Sequence, residues 1–252
     1  MNLKLGIAAL GRTVALALLA LASSAISSVS AQQVMLEALP PVDPLAELDR
    51  YNVVWNSPSG DPAGSMPIGN GEVGLNVWVE SNGDLVFYIS RTDAWSECNR
   101  LLKLGRIRVH LSPSPLATGT AFRQALKLRD GQIEITAGDA ILHVFVDADS
   151  PVIHVTGTGS VSRTVTATIE NWRTEKHILK GNELASSWTM QAAPAEIEVA
   201  ESADVFTGSA AAVTWYHRNE STIVPLTLKH QGLESLSALV SDPLLHRTLA
   251  AG

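Results

Sequence analysis

A single cysteine, Cys98, stands in the 252-residue chain, so no disulfide can close within it. Basic residues are also short, with 18 Lys and Arg against 25 Asp and Glu. A surface of that balance repels phosphate backbones and anionic lipid, so neither nucleic acid nor a membrane face is an expected partner. The seven histidines never fall at HxH or HxxxH spacing, the patterns that aim two imidazoles at one ion. No metal site and no cofactor is read. Past the N-terminus no segment is apolar for long enough to span a bilayer.

What is present begins with an export signal. Lys4 and Arg12 give a basic start, "TVALALLALASSAI" a short apolar core, and "SVSA" small residues for cleavage after Ala31. That layout marks residues 1–31 as a secretory signal peptide. A retained anchor is the competing reading, and serines interrupt its apolar run early. Cleavage removes Lys4 and Arg12 and takes the net charge from −7 to −9. The expected location is secreted or periplasmic, with no membrane attachment after cleavage. An exported chain without disulfides must rely on its core, which suits a bacterial source.

Residues 32–50 read as a linker, because Pro40, Pro41 and Pro44 discourage regular structure. From 51 to 223 the period-2 signal dominates. In "LKLRDGQIEI", Leu126 and Leu128 alternate with Lys127 and Arg129, and Ile133 and Ile135 with Gln132 and Glu134. A two-residue turn at Asp130-Gly131 would set Leu128 opposite Ile133 and Lys127 opposite Glu134. Similar alternation runs through 73–79, 85–89, 106–111, 140–146, 151–155 and 164–170. Strands recurring without helical periodicity predict an all-β, antiparallel sandwich or barrel. The predicted core includes Leu75, Val77, Val79, Leu85, Phe87, Ile89, Leu126, Leu128, Ile133 and Ile135. Only "VPLTLKHQGLESLSALV", 224–240, looks helical, with Pro225 suited to a first turn. Residues 224–252 therefore read as a helical linker, and the sequence as a piece of a longer protein.

Two Asn-Gly pairs lie twelve positions apart in "MPIGNGEVGLNVWVESNGDLVFYISRTDAWSE". Asn82-Gly83 joins two alternating strands and is a turn. Gly69-Asn70-Gly71 follows a long polar loop, and its bare backbone could approach a ligand beside Asn70 and Glu72. The alternative is a glycine-rich turn entering a buried strand. The return strand runs into "SRTDAWSE", where Trp95 could stack on a pyranose while Arg91 and Asp93 bridge hydroxyls. Equally, Trp95 could cap the core. "ENWR", with Trp172 and Arg173, and "TWYHRNES" repeat the recipe at other strand ends, where core capping competes again.

The order "MPIGNGEVG", strand pair, "TDAWSE" resembles the N-terminal domain of glycoside hydrolase family 95. "VWVESNGDLVFYISRTDAWSE" and "LLKLGRIRVHLSP" are more similar to domain of unknown function 5703, over roughly residues 51 to 250. Pro67, Gly69, Asn70, Gly71 and Gly74 fit the first motif, and Trp95 and Ser96 the second. The resemblance implies an antiparallel β-supersandwich of the galactose-mutarotase-like type, followed by an (α/α)6 catalytic barrel. Before Trp95 this chain reads Arg-Thr-Asp-Ala where the fucosidases carry an Asn-Glu-Asp-Thr-Leu run, so fucose specificity is not carried over.

Glycoside hydrolysis needs two carboxyls flanking the bond. Asp93, Glu97 and Glu72 are near in sequence, but the resemblance places the catalytic pair on the barrel, so no catalytic residue is assigned here. The expected function is the N-terminal sandwich of an exported glycoside hydrolase-like protein that contacts an oligosaccharide or polysaccharide. Its expected substrate-binding residues are Asn70, Glu72, Arg91, Asp93, Trp95, Trp172 and Arg173. A stand-alone carbohydrate-binding module is the alternative, and a mutarotase-like enzyme using His and Glu inside the sandwich a third reading.

Overall fold

Alternating apolar residues build two five-stranded antiparallel sheets in a computed structural model that describes residues 43–116, 119–194, 197–209 and 212–252. The expected signal peptide, and the expected linker up to residue 42, lie outside the described residues. The chain divides into two units, Met1–Pro44 and Leu45–Gly252, and every element below belongs to the second.

The first sheet has the order β10-β5-β4-β3-β2. Its strands are β2 (Met66–Gly69), β3 (Val73–Val79), β4 (Leu85–Trp95), β5 (Leu101–Ser112) and β10 (Thr164–Glu170). The second, β1-β6-β7-β8-β9, uses β1 (Val53–Trp55), β6 (Phe122–Lys127), β7 (Gln132–Ala137), β8 (Ala140–Val146) and β9 (Ile153–Thr158). Leu75, Val77 and Val79 sit opposite Ile89, Phe87 and Leu85. These six join Ile133, Ile135, Leu142 and Val144 from the other sheet in one buried core. Each such burial contributes about 1.5–3 kcal/mol against exposure.

The hairpin β6–β7 differs from its expected register. Leu126 faces Ile133 and Lys127 faces Gln132, leaving residues 128–131 as a four-residue turn closed by Gly131 at φ 60°. A shift of two residues preserves the faces, but it moves Leu128 out of the core to 39% exposure while Ile133 is fully buried. The Leu128 amide donates to Asn52 Oδ1 at 2.9 Å, which holds the wider turn. Lys127 still reaches Glu134 at 3.2 Å, along the diagonal. We expect Ile133→Ala to cost about 2–5 kcal/mol in urea unfolding and Leu128→Ala about 0.5 kcal/mol. Equal losses would contradict this register.

Between β4 and β5 the pairing slips, with Ile89 opposite Gly105 but Ser90 opposite Lys103. Leu104 is the extra residue of a bulge. Gly105 leaves room for the indole of Trp215, which a Cβ would meet at 3.3 Å.

After β10 the chain makes an excursion containing β11 (His177–Ile178), α1 (Asn182–Ser186) and β12 (Ala200–Glu201). Leu179, Met190 and Val199 from it gather with Cys98, Ile223 and Leu244 into a second core. The helical segment expected over 224–240 divides. Helix α2 covers Val224–His230, Gly232 at φ 70° ends it, and a 3-10 turn spans Glu234–Leu239. The chain then returns as β15 (Thr248–Ala251), beside β14 (Val213–Arg218) and β13 (Val205–Gly208). Leu249 and Trp215 of this three-stranded sheet reach the main core, so the segment expected as a linker also closes the domain. No helix among the described residues is long and apolar enough to cross a membrane.

Candidate functional site

Both Asn-Gly pairs prove to be hairpin turns. Asn82-Gly83 joins β3 to β4, with Gly83 at φ 90° donating to Glu80 O. Asn70-Gly71 joins β2 to β3, with Gly71 at φ 94°. The Asn70 side chain is fully spent. Its amide nitrogen donates to Asp147 O at 2.8 Å and Ser150 O at 3.1 Å, and its oxygen accepts from the amides of Glu72 and Val73. Those bonds tie the β2–β3 turn to the β8–β9 turn of the opposite sheet.

The hairpin brings Glu72, Arg91 and Asp93 together. Val73 pairs with Arg91, and the Arg91 guanidinium bonds Glu72 and lies 3.1 Å from Asp93 Oδ1. The Asp93 contact is charge proximity rather than an aligned hydrogen bond, since neither atom has a hydrogen-bond partner. Trp95, further along β4, packs half-buried against the second core. At this end of the sandwich the polar groups mostly satisfy one another.

"ENWR" divides by parity. Glu170 and Trp172 belong to the outer face of the first sheet, while Asn171 and Arg173 turn inward to Asp204. Arg173 forms a fork onto Asp204 at 2.9 and 2.8 Å and donates to Lys103 O, beside the bulge, at 2.7 Å. Trp215 Nε1 donates to Leu104 O at 2.7 Å. Arg173, expected as a sugar contact, is buried and gives its guanidinium to these bonds.

Asp204 then meets His217, whose Nδ1 lies 2.9 Å from its Oδ1, and His217 Nε2 lies 3.0 Å from Glu97 Oε2. A ring with a carboxylate at each nitrogen must donate from both, so His217 is an imidazolium. Burial would lower its pKa, but the bonds to Asp204 and Glu97 raise it to about 9. Burial likewise pushes Glu97 upward, and hydrogen bonds from His217 and Ser202 outweigh it and leave the carboxyl below its usual value. Asp204 follows the same pattern, with bonds from His217 and Arg173 prevailing over burial. Glu97, His217, Asp204 and Arg173 thus form a neutral, buried chain of alternating charge. His217 is 1% exposed, so a sugar ring cannot reach this His–Glu pair.

Sequence reasoning did not find this chain. Its one local trace is the shared parity of Trp215 and His217 in β14, both buried between less buried neighbours. Cys98 lies beside it, a buried thiol bonded to Ala200 O at 3.0 Å. Burial, with the Glu97 charge behind it, raises its pKa to about 12, which leaves it inert as a nucleophile.

The outer face carries a different surface. Tyr88, out of phase with the core residues Phe87 and Ile89, lies 5.3 Å from Trp78 and 5.9 Å edge-on from Trp172. Lys103 Nζ sits 4.3 Å and Arg106 Cζ 5.9 Å from the Tyr88 ring. Arg173 lies 5.6 Å from the Trp172 ring centroid, so the buried chain also braces that indole. Trp172 remains 49% exposed. Beside it Arg108 ties Glu80, Asp84 and Glu170 together, holding the strands in place. Among the described residues no group of three or more His, Cys, Asp or Glu could hold a metal ion.

No curated protein matches the chain. A family model described as a domain of unknown function, DUF5703, matches residues 54–251, from within β1 to the last residue of β15. The chain belongs to the DUF5703 N-terminal domain family.

Proposed function

We propose that this chain is the N-terminal sandwich of an exported glycoside hydrolase-like protein, of the galactose-mutarotase-like supersandwich type, and that it contacts an oligosaccharide or polysaccharide without catalysing its cleavage. The (α/α)6 barrel implied by the resemblance is the partner domain that would carry the reaction. The observation that supports this reading is the half-exposed Trp172 on a braced aromatic platform with charged side chains around it. An indole so placed offers the apolar face a pyranose stacks on, and the collar offers donors to its hydroxyls. The Asn70 end supports sugar contact less, because its amide has no bond left to give.

Catalysis by the chain alone lacks support in its carboxylates. Glu97 is buried against His217 and the Ser202 amide, so it cannot flank a glycosidic bond. The purified chain should bind members of a plant and algal oligosaccharide panel in isothermal titration and release no sugar from aryl glycosides. Turnover abolished by Asp93→Asn would put the catalytic pair in this domain and end the proposal. The platform also suits a stand-alone carbohydrate-binding module. A reading frame continuing past Gly252 into long amphipathic helices separates the two.

A further inference from the structure

Resting on that reading, we propose that the Trp172 platform takes an anionic sugar residue, with its carboxylate or sulfate between Lys103 and Arg106. The bulge makes this arrangement possible. Residues three apart in a regular strand face opposite sides, but the extra Leu104 turns Lys103 and Arg106 to the same face, against the same Tyr88 ring.

Other basic side chains of this sheet are neutralised. Arg108 is held by Glu80, Asp84 and Glu170, and Arg91 by Glu72. Lys103, by contrast, makes no ion pair or side-chain hydrogen bond among the described residues, only its contact with Tyr88. Arg106 gives its Nε to Glu170, and both its Nη groups keep their donors. Lys103 and Arg106 together touch a single carboxylate, that of Glu170, which is shared with Arg108. An ammonium beside an unspent guanidinium edge is suited to a carboxylate or sulfate oxygen pair. The indole would take the ring face of the same residue.

The test uses the purified chain and three probes of equal length: oligogalacturonate, a sulfated galactan oligosaccharide and a neutral β-galactan oligosaccharide. Titration at low salt should show an anionic probe binding about tenfold tighter than the neutral one, with the preference shrinking in 0.5 M NaCl. Which anion wins identifies the substituent. Lys103→Met should remove most of the preference, weakening the anionic probe about tenfold and the neutral probe much less, while Lys103→Arg retains it. Equal affinity for neutral and anionic probes, or a preference untouched by Lys103→Met, would overturn this inference and leave the sugar-contact reading standing. Failure of every probe to bind would overturn both.

Discussion

Asp204→Asn should lower the unfolding free energy by about 3–5 kcal/mol, the usual cost of breaking a buried ion pair from one side. The substitution keeps the shape of the side chain and removes only its charge. Arg173, buried, would then lose its carboxylate partner, and His217 would keep only Glu97. A domain of this size has only about 5–15 kcal/mol to lose, so the variant should unfold at a much lower urea concentration. The effect must also be non-additive. Adding Arg173→Met to Asp204→Leu removes both members of the fork, and the double variant should be more stable than the sum of the two single losses. Additive losses would mean that the fork does not couple the two residues.

Stability should also fall by roughly 3 kcal/mol between pH 6.5 and 9, on one histidine. His217 has its folded pKa raised to about 9 from 6.5. The native state therefore holds a proton that the unfolded state gives up first. The contribution is complete below pH 6.5 and is lost as pH rises through 9. Two charged groups raise the pKa against burial: Asp204, just before β13, and Glu97, just after β4. Glu97 and Asp204 act in the opposite direction. Their folded pKa values are depressed, so their contribution is present above the unfolded carboxylate range and disappears as pH falls through the folded values. Urea unfolding at intervals from pH 6 to 9 reads the alkaline limb directly. A flat profile there would mean that His217 is neutral in the native protein.

The sandwich was legible because alternation is a local signal. Val77 and Phe87 announce their faces within a few residues on either side, and the Asn82-Gly83 turn sets their register. Where register depended on a distant partner, the reading slipped. Asn52 holds the Leu128 amide from 76 residues away, and nothing within "LKLRDGQIEI" reports it. "ENWR" offers Trp172 and its neighbour Arg173 alike for sugar contact. The two separate only because Asp204, 31 residues on, draws Arg173 inward. The buried charge chain was the least legible feature. Glu97 and His217 meet across 120 positions, and an ionisable residue in a strand carries no mark of whether its partner waits inside or outside.

In the proposed function, alternate residues of one short stretch do different work: Asn171 and Arg173 bond Asp204 inside the fold, and Trp172 meets the ligand. The most direct measurement is the oligosaccharide affinity of Trp172→Ala, taken with its urea unfolding curve. A half-exposed indole edge-on to Tyr88 should cost about 1 kcal/mol of stability when removed, while binding that depends on stacking should fall below detection. Unchanged affinity in a folded Trp172→Ala protein would contradict the account, whatever the buried chain does.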